Sequence, residues 1–117
     1  MSRYIYKICP TTLWQEAEAT GIFTGAGIDI QDGYIHFSTA AQSAETLALH
    51  FTGQQGLSFV EIDTSVLDIK WEASRGGQLF PHLYAPLPLS AVTNHWQLAL
   101  DENGVHILPP LSDETSA

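Results

Sequence analysis

Hydrophobic and β-branched residues fall in short runs along this chain, separated by glycine, proline and aspartate. Tyr4-Ile5-Tyr6-Lys7-Ile8 is rich in strand formers and predicts a first strand, broken by Cys9-Pro10. Thr11 or Thr12 then caps a helix, with Gln15 three residues after Thr12 in capping-box spacing. Leu13, Trp14 and Ala17 supply its buried stripe, and Glu16 and Glu18 suit its early turns by charge. Gly21 ends it as the residue after the last turn. Residues 22–33 hold three glycines and two aspartates and read as a loop.

Tyr34-Ile35-His36-Phe37 is a second strand that runs directly into Ser38-Thr39. Thr39-x-x-Gln42 is another capping box, and strong helix formers follow to His50, with Ala44, Leu47 and Phe51 on one face. Residues 57–62 alternate and predict a strand; residues 69–72 predict another. Residues 73–89 are loop-rich, with Gly76-Gly77 and three prolines, and enclose a short strand at His82-Leu83-Tyr84. Residues 92–100 and 105–107 flank Asp101-Glu102-Asn103-Gly104, a strong hairpin signal. Two main helices placed early and five to seven strands, mostly late, argue for an α+β fold.

The 117 residues suit one domain, residues 1–110, followed by a polar tail at 111–117. An apolar share of 44% is enough for a core without staples. No window approaches the ~18 consecutive apolar residues of a membrane span. Met1-Ser2-Arg3-Tyr4 lacks the apolar run of a signal peptide, so a cytoplasmic location is expected. Four basic residues against thirteen acidic ones give a net charge of −9, which opposes binding to duplex nucleic acid. Cys9 is the one cysteine, so a disulfide framework and a zinc ribbon are excluded. Its apolar neighbours suit a packed thiol.

No P-loop, GxGxxG, GxSxG or HExxH motif is present, and chemistry must come from clusters. The first is residues 32–39. In a strand, Tyr34 and His36 share one face while Ile35 and Phe37 turn to the core. Ser38, Thr39 and the first N–H groups of the following helix meet beside His36, where a phosphate or carboxylate can bind. Alternatively, Thr39 only caps its helix and His36 bonds a loop. The second cluster, residues 71–84, holds Trp71, Glu72, Arg75, Phe80, His82 and Tyr84. Arg75 is a candidate anion clamp, unless Glu72 holds it in a surface ion pair. His82 and Tyr84 share one face of an extended segment, while Trp71, Phe80 and Tyr84 can equally plug the core. His50 suits a helix C-terminus, and His95 and His106 lie in the hairpin region. The spacing of His36, His82 and His106 gives no support to a metal site, and none is expected.

Ile5-Tyr6-Lys7-Ile8, Asp32-Gly33-Tyr34-Ile35-His36-Phe37-Ser38-Thr39, Trp71-Glu72 and Phe80-Pro81-His82-Leu83-Tyr84-x-Pro86-Leu87 together resemble the bacterial and plant family DUF952, a domain of unknown function. The likeness covers roughly residues 3–110, and the HFST and FPHLYxPL strings carry most of it. That family in turn resembles the ADP-ribosyltransferase fold. The resemblance implies a split β architecture, with two small mixed or antiparallel sheets clasping a cleft for NAD. Some members of that wider fold transfer ADP-ribose from NAD to a protein, a nucleic acid or a 2′-phosphate. By the same resemblance Lys7 stands near the first cleft position, and His36 with Ser38 at the second. No late glutamate matches, since Glu102 sits in a turn. This departure fits variants that use two histidines, or a descendant that only binds.

The expected function is therefore binding of NAD or another phosphorylated nucleotide, with transfer or hydrolysis of ADP-ribose. Arg75 and the helix end after Thr39 would hold phosphate, His36 and His82 would orient ribose or nicotinamide, and Glu72 would supply the carboxylate near the reacting carbon. Lys7, Ser38, Trp71, Phe80 and Tyr84 complete the expected ligand contacts. The alternatives are a non-catalytic module for a small anionic ligand and a protein–protein interaction domain.

Overall fold

The computed structural model describes residues 3–111. The polar tail expected at 111–117 lies outside the described residues from position 112 onward. The first strand, β1 (Tyr4–Pro10), is buried along nearly its whole length. Its alternation sends Ile5 and Cys9 into one apolar cluster and Tyr6 and Ile8 into another. Its outer edge is also closed, because Tyr6 and Ser38 exchange backbone hydrogen bonds of 2.8 and 2.9 Å. That bridge ties the two halves of the fold together.

Among the described residues the strands form two three-stranded antiparallel sheets and two short ribbons. In the first sheet β4 (Leu57–Asp63) is central, with β1 on one side and β8 (Val92–Gln97) on the other. In the second sheet β6 (Leu79–Leu83) is central, between β3 (Ile35–His36) and β5 (Lys70–Ala73). The α+β class holds. One long strand over residues 92–100 does not form. Leu98 N–H turns to the Leu57 carbonyl, so β8 ends at Gln97 and β9 (Ala99–Leu100) pairs with β10 (His106–Ile107) around the expected turn.

The helix α1 (Thr11–Thr20) starts straight from β1 with Pro10 as its cap, and the capping box at Thr12 does not form. With no turn between strand and helix, Thr11 is drawn to the neighbouring sheet: its N–H reaches the Gly56 carbonyl and its hydroxyl meets Ser58 and Gln97. Trp14 and Ala17 are buried and Leu13 only half-buried. Gly21 closes the helix in the left-handed region, at φ 88°.

Residues 22–33 are not a plain loop. Ile22–Phe23 forms β2, which pairs with β7 (Leu87–Pro88), and Ile28–Asp32 forms a short helix, α2. The partner of β2 lies more than sixty residues away, out of reach of local patterning. Aspartate read as a loop marker here is instead a buried anchor: Asp29 is 2% exposed. Gly25, at φ 117°, is required beside it, since a Cβ there would stand 2.9 Å from the Asp29 Cβ.

The helix α3 (Ala40–His50) follows its capping box fully: Thr39 Oγ1 accepts from Gln42 N–H, and Gln42 Oε1 accepts from Thr39 N–H. Ala44 is exposed, however, and Ser43 lies inside beside Leu47. The Ser43 hydroxyl donates to the Thr39 carbonyl at 2.8 Å, which satisfies it within the helix and permits its burial. Thr39→Ala is expected to cost about 1 kcal/mol in a denaturant titration, with the fold retained.

Cys9 is fully buried, and burial pushes its thiol up to about 11, as a packed thiol should behave. Among the described residues no helix is long and apolar enough to cross a membrane.

Candidate functional site

The site is set by strand register. In the second sheet Ile35 pairs with Leu83 and His36 with His82. Alternation then divides the sheet by face: Ile35, Leu83, Pro81 and Trp71 turn to the core, while His36, His82, Phe80 and Glu72 share the other side. The two imidazoles stand 5.2 Å apart at a near-perpendicular 70°. The Tyr34 ring covers both, at 4.6 Å from His36 and 4.4 Å from His82, and meets Tyr84 at 4.8 Å.

Each imidazole is held by a carboxylate. His36 Nδ1 donates to Asp29 Oδ1 at 2.7 Å, and its Nε2 lies 3.1 Å from Asp32 Oδ2. Asp29 also accepts from His36 N–H, from Ala26 N–H and from the Lys7 ammonium at 2.7 Å. Burial pushes the Asp29 carboxyl up, but His36 and the adjacent Lys7 ammonium together outweigh it and hold it at about 2. Lys7 is itself buried and donates to the His36 carbonyl, so it fixes both the carboxylate and the strand.

On the opposite strand His82 Nδ1 donates to Glu72 Oε1 at 2.7 Å, and Tyr84 O–H donates to that same oxygen at 2.7 Å. Glu72 is a diagonal cross-strand neighbour of His82, which explains its reach. These two donors hold the Glu72 carboxyl below its usual range, and the bond to Glu72 pushes the Tyr84 phenol up to about 12. The Tyr34 phenol is raised by desolvation and by the carboxylates of Asp32 and Glu72.

His36 and His82 open into one cavity of about 700 Å³, with Lys7, Asp29, Asp32 and Tyr34 in its wall. Ser38 and Phe80 also line it, and the Ser38 hydroxyl shares a hydrogen bond with Thr46. Thr39 and Trp71 do not line it. Thr39 and the first helical N–H groups are engaged in the capping box, and strand alternation turns Trp71 to the core. Glu72 and Tyr84 stand behind His82 rather than in the wall. Arg75 lies in the 75–77 turn, and its side chain lies outside the described residues, as does any pairing with Glu72. His106 bonds the Gln54 carbonyl in the hairpin region, and among the described residues no three His, Cys, Asp or Glu converge to hold a metal.

Asp29, Asp32 and Tyr34 are the functional candidates to which sequence reasoning assigned no role. One signal was available: Asp32 precedes His36 by four residues and Asp29 precedes it by seven, within a single glycine-bounded segment. His50, read as a helix end, also lines the cavity.

An antiparallel α+β domain with a paired-histidine cavity is thus defined. The family described as a protein of unknown function, DUF952, matches residues 8–95, and the chain belongs to it. The crystal structure of protein CC0527 from Caulobacter crescentus is 45% identical, with a TM-score of 0.84 over 89% of this chain and 93% of that one. Its solution NMR structure is 46% identical, with a TM-score of 0.80 over 89% and 91%. No curated protein matches the chain.

Proposed function

We propose that the cavity binds NAD or a related phosphorylated nucleotide, and that the two facing imidazoles serve transfer or hydrolysis of its ADP-ribose. The observation that carries this reading is the cross-strand pair His36–His82, each ring anchored through Nδ1 by a carboxylate, under the ring of Tyr34. Three features support it. A cavity of about 700 Å³ falls within the usual range for small-molecule sites. Tyr34 offers an aromatic face for a planar ring. The carboxylates around the histidines favour the positive charge that develops at the anomeric carbon as the glycosidic bond breaks. The choice of NAD rests on the family's resemblance to the ADP-ribosyltransferase fold, which is an analogy of fold.

A second reading, a binding module without turnover, is favoured by one observation. Among the described residues Lys7 is the one lysine or arginine in the cavity wall, and Asp29 already holds its charge. The helix end after Thr39 is likewise occupied by its cap. A ligand with little phosphate charge suits such a wall.

Calorimetry with NAD, coupled to chromatographic detection of nicotinamide, separates the readings. The enzymatic reading expects saturable heat and nicotinamide release, and a ligand at about a hundred times its Kd should stabilise the fold by about 3 kcal/mol. Heat without product supports the binding module. No heat and no stabilisation contradict NAD binding and the enzymatic reading with it, and leave only a module for a less charged ligand.

A further inference from the structure

We propose that His82 is the general base of this site, with Glu72 and Tyr84 as its positioning residues, while His36, with Asp29 and Asp32 beside its two nitrogens, packs against it without taking a proton. The two imidazoles face each other but are wired differently. His36 donates through Nδ1 to Asp29 Oδ1, and the Asp32 carboxylate stands 3.1 Å from its Nε2, so its second edge faces a negative charge rather than the open cavity. His82 has a carboxylate at Nδ1 alone. An ionised carboxylate only accepts, so in the neutral ring Nδ1 carries the proton and Nε2 keeps its lone pair.

That lone pair borders the cavity, although the His82 side chain is only 4% exposed. Among the described residues Nε2 of His82 has no hydrogen-bond partner, yet it is not sealed from the surroundings. The one sealed and unpartnered side-chain polar atom among them is Trp14 Nε1. The ring borders the cavity, and Glu72, on the far side of Nδ1, does not. The free edge of the imidazole is therefore the edge turned towards a ligand.

Glu72 and Tyr84 have a common task. Both His82 Nδ1–H and Tyr84 O–H donate to Glu72 Oε1, so Tyr84 restrains the carboxylate that sets the His82 tautomer. Tyr84 is 54% exposed and the Glu72 side chain is 43% exposed, so neither is needed to fill the core.

The inference rests on the reading of NAD hydrolysis or transfer given above. In hydrolysis, Nε2 of His82 removes a proton from water as the water oxygen bonds to the ribose C1′. The C1′–N bond breaks, and its electron pair passes to the pyridinium nitrogen. Nicotinamide leaves neutral, ADP-ribose remains, and the proton rests on His82 with its charge against Glu72. In transfer, an acceptor hydroxyl takes the place of water.

Imidazole ¹⁵N spectra of the full chain, without ligand, read the tautomer directly. His82 is expected with Nδ1 protonated and Nε2 bare, and Glu72→Gln is expected to mix the two tautomers. In nicotinamide-release assays His82→Gln should lower kcat about 10²-fold to 10⁴-fold. Glu72→Gln should lower kcat at least ~10-fold through the wrong tautomer, with KM unchanged. Tyr84→Phe should lower it about 2-fold to 10-fold, the loss of one hydrogen bond. Melting curves of the Glu72 and Tyr84 variants should match the parent.

A resting His82 protonated at Nε2 overturns the proposal without reference to any substrate. So does turnover at the parent rate in His82→Gln. Loss of kcat in His82→Gln alone, with Glu72→Gln and Tyr84→Phe unchanged, overturns the positioning roles. A parent chain that binds NAD but releases no nicotinamide overturns the enzymatic reading and the base role together, whereas turnover by an active His82→Gln overturns the base role alone.

Discussion

Asp29→Asn is expected to destabilise the fold by about 3–5 kcal/mol, the usual cost of removing one partner from a buried ion pair. The Lys7 ammonium is buried and sits 2.7 Å from Asp29 Oδ2. An amide in that place leaves the positive charge with only the His36 carbonyl. The amide also puts N–H groups where Lys7, Ala26 or His36 now donate, and two donors then face each other without an acceptor. Urea titration at neutral pH measures the loss. A change below about 0.5 kcal/mol would show that Lys7 reaches water by itself and that the pair does not hold the fold.

The same carboxylate predicts an acid dependence. Its folded value, about 2, lies below the ordinary value of 3.8, so the folded state binds this proton less readily than the unfolded chain does. Its contribution is therefore fully present above about pH 4 and declines as pH falls towards 2. A shift of that size is worth about 2 kcal/mol. Asp29→Asn should lack this part of the acid transition, and titrations at several pH values check it.

The second large effect falls on activity rather than on stability. His36→Ala is expected to lower nicotinamide release about 10²-fold, because the ring that packs against His82 and under Tyr34 is lost and the base is no longer held in place. The His36 side chain is 28% exposed, and Asp29 keeps Lys7 and two backbone donors when the ring is gone. Melting temperature should therefore move little. A variant with parent turnover would remove His36 from the chemistry, while a large fall in melting temperature would assign the ring a structural role. The contrast with Asp29→Asn matters, because the two residues touch each other yet are expected to act on different observables.

Much of this arrangement can be read from local signals. The period-two pattern at Tyr34-Ile35-His36-Phe37 correctly turns Ile35 and Phe37 inward. The Thr39-x-x-Gln42 spacing specifies both ends of a capping box because all its bonds are local. Asn103-Gly104 marks a turn that forms for the same reason. What escapes such reading depends on partners distant in sequence. The roles of Asp29 and Lys7 exist only once β1, α2 and β3 are side by side. Two-residue strands such as β2 carry no periodicity and are strands only through pairing with β7. Thr39 and Trp71 were chemically plausible ligand contacts, but a helix cap and a core-facing strand position claim them first. His36 and His82 are forty-six residues apart in sequence, and no spacing rule announces that they are directly opposite across two strands.

NAD is expected to occupy the cavity that these two rings line. Titrating NAD into ¹⁵N-labelled protein, and following all five imidazoles, tests it most directly. The His36 and His82 resonances should move together and saturate at one ligand per chain, while those of His95 and His106 stay in place. Stationary His36 and His82 signals at saturating NAD, or shifts confined to His95 and His106, would contradict it.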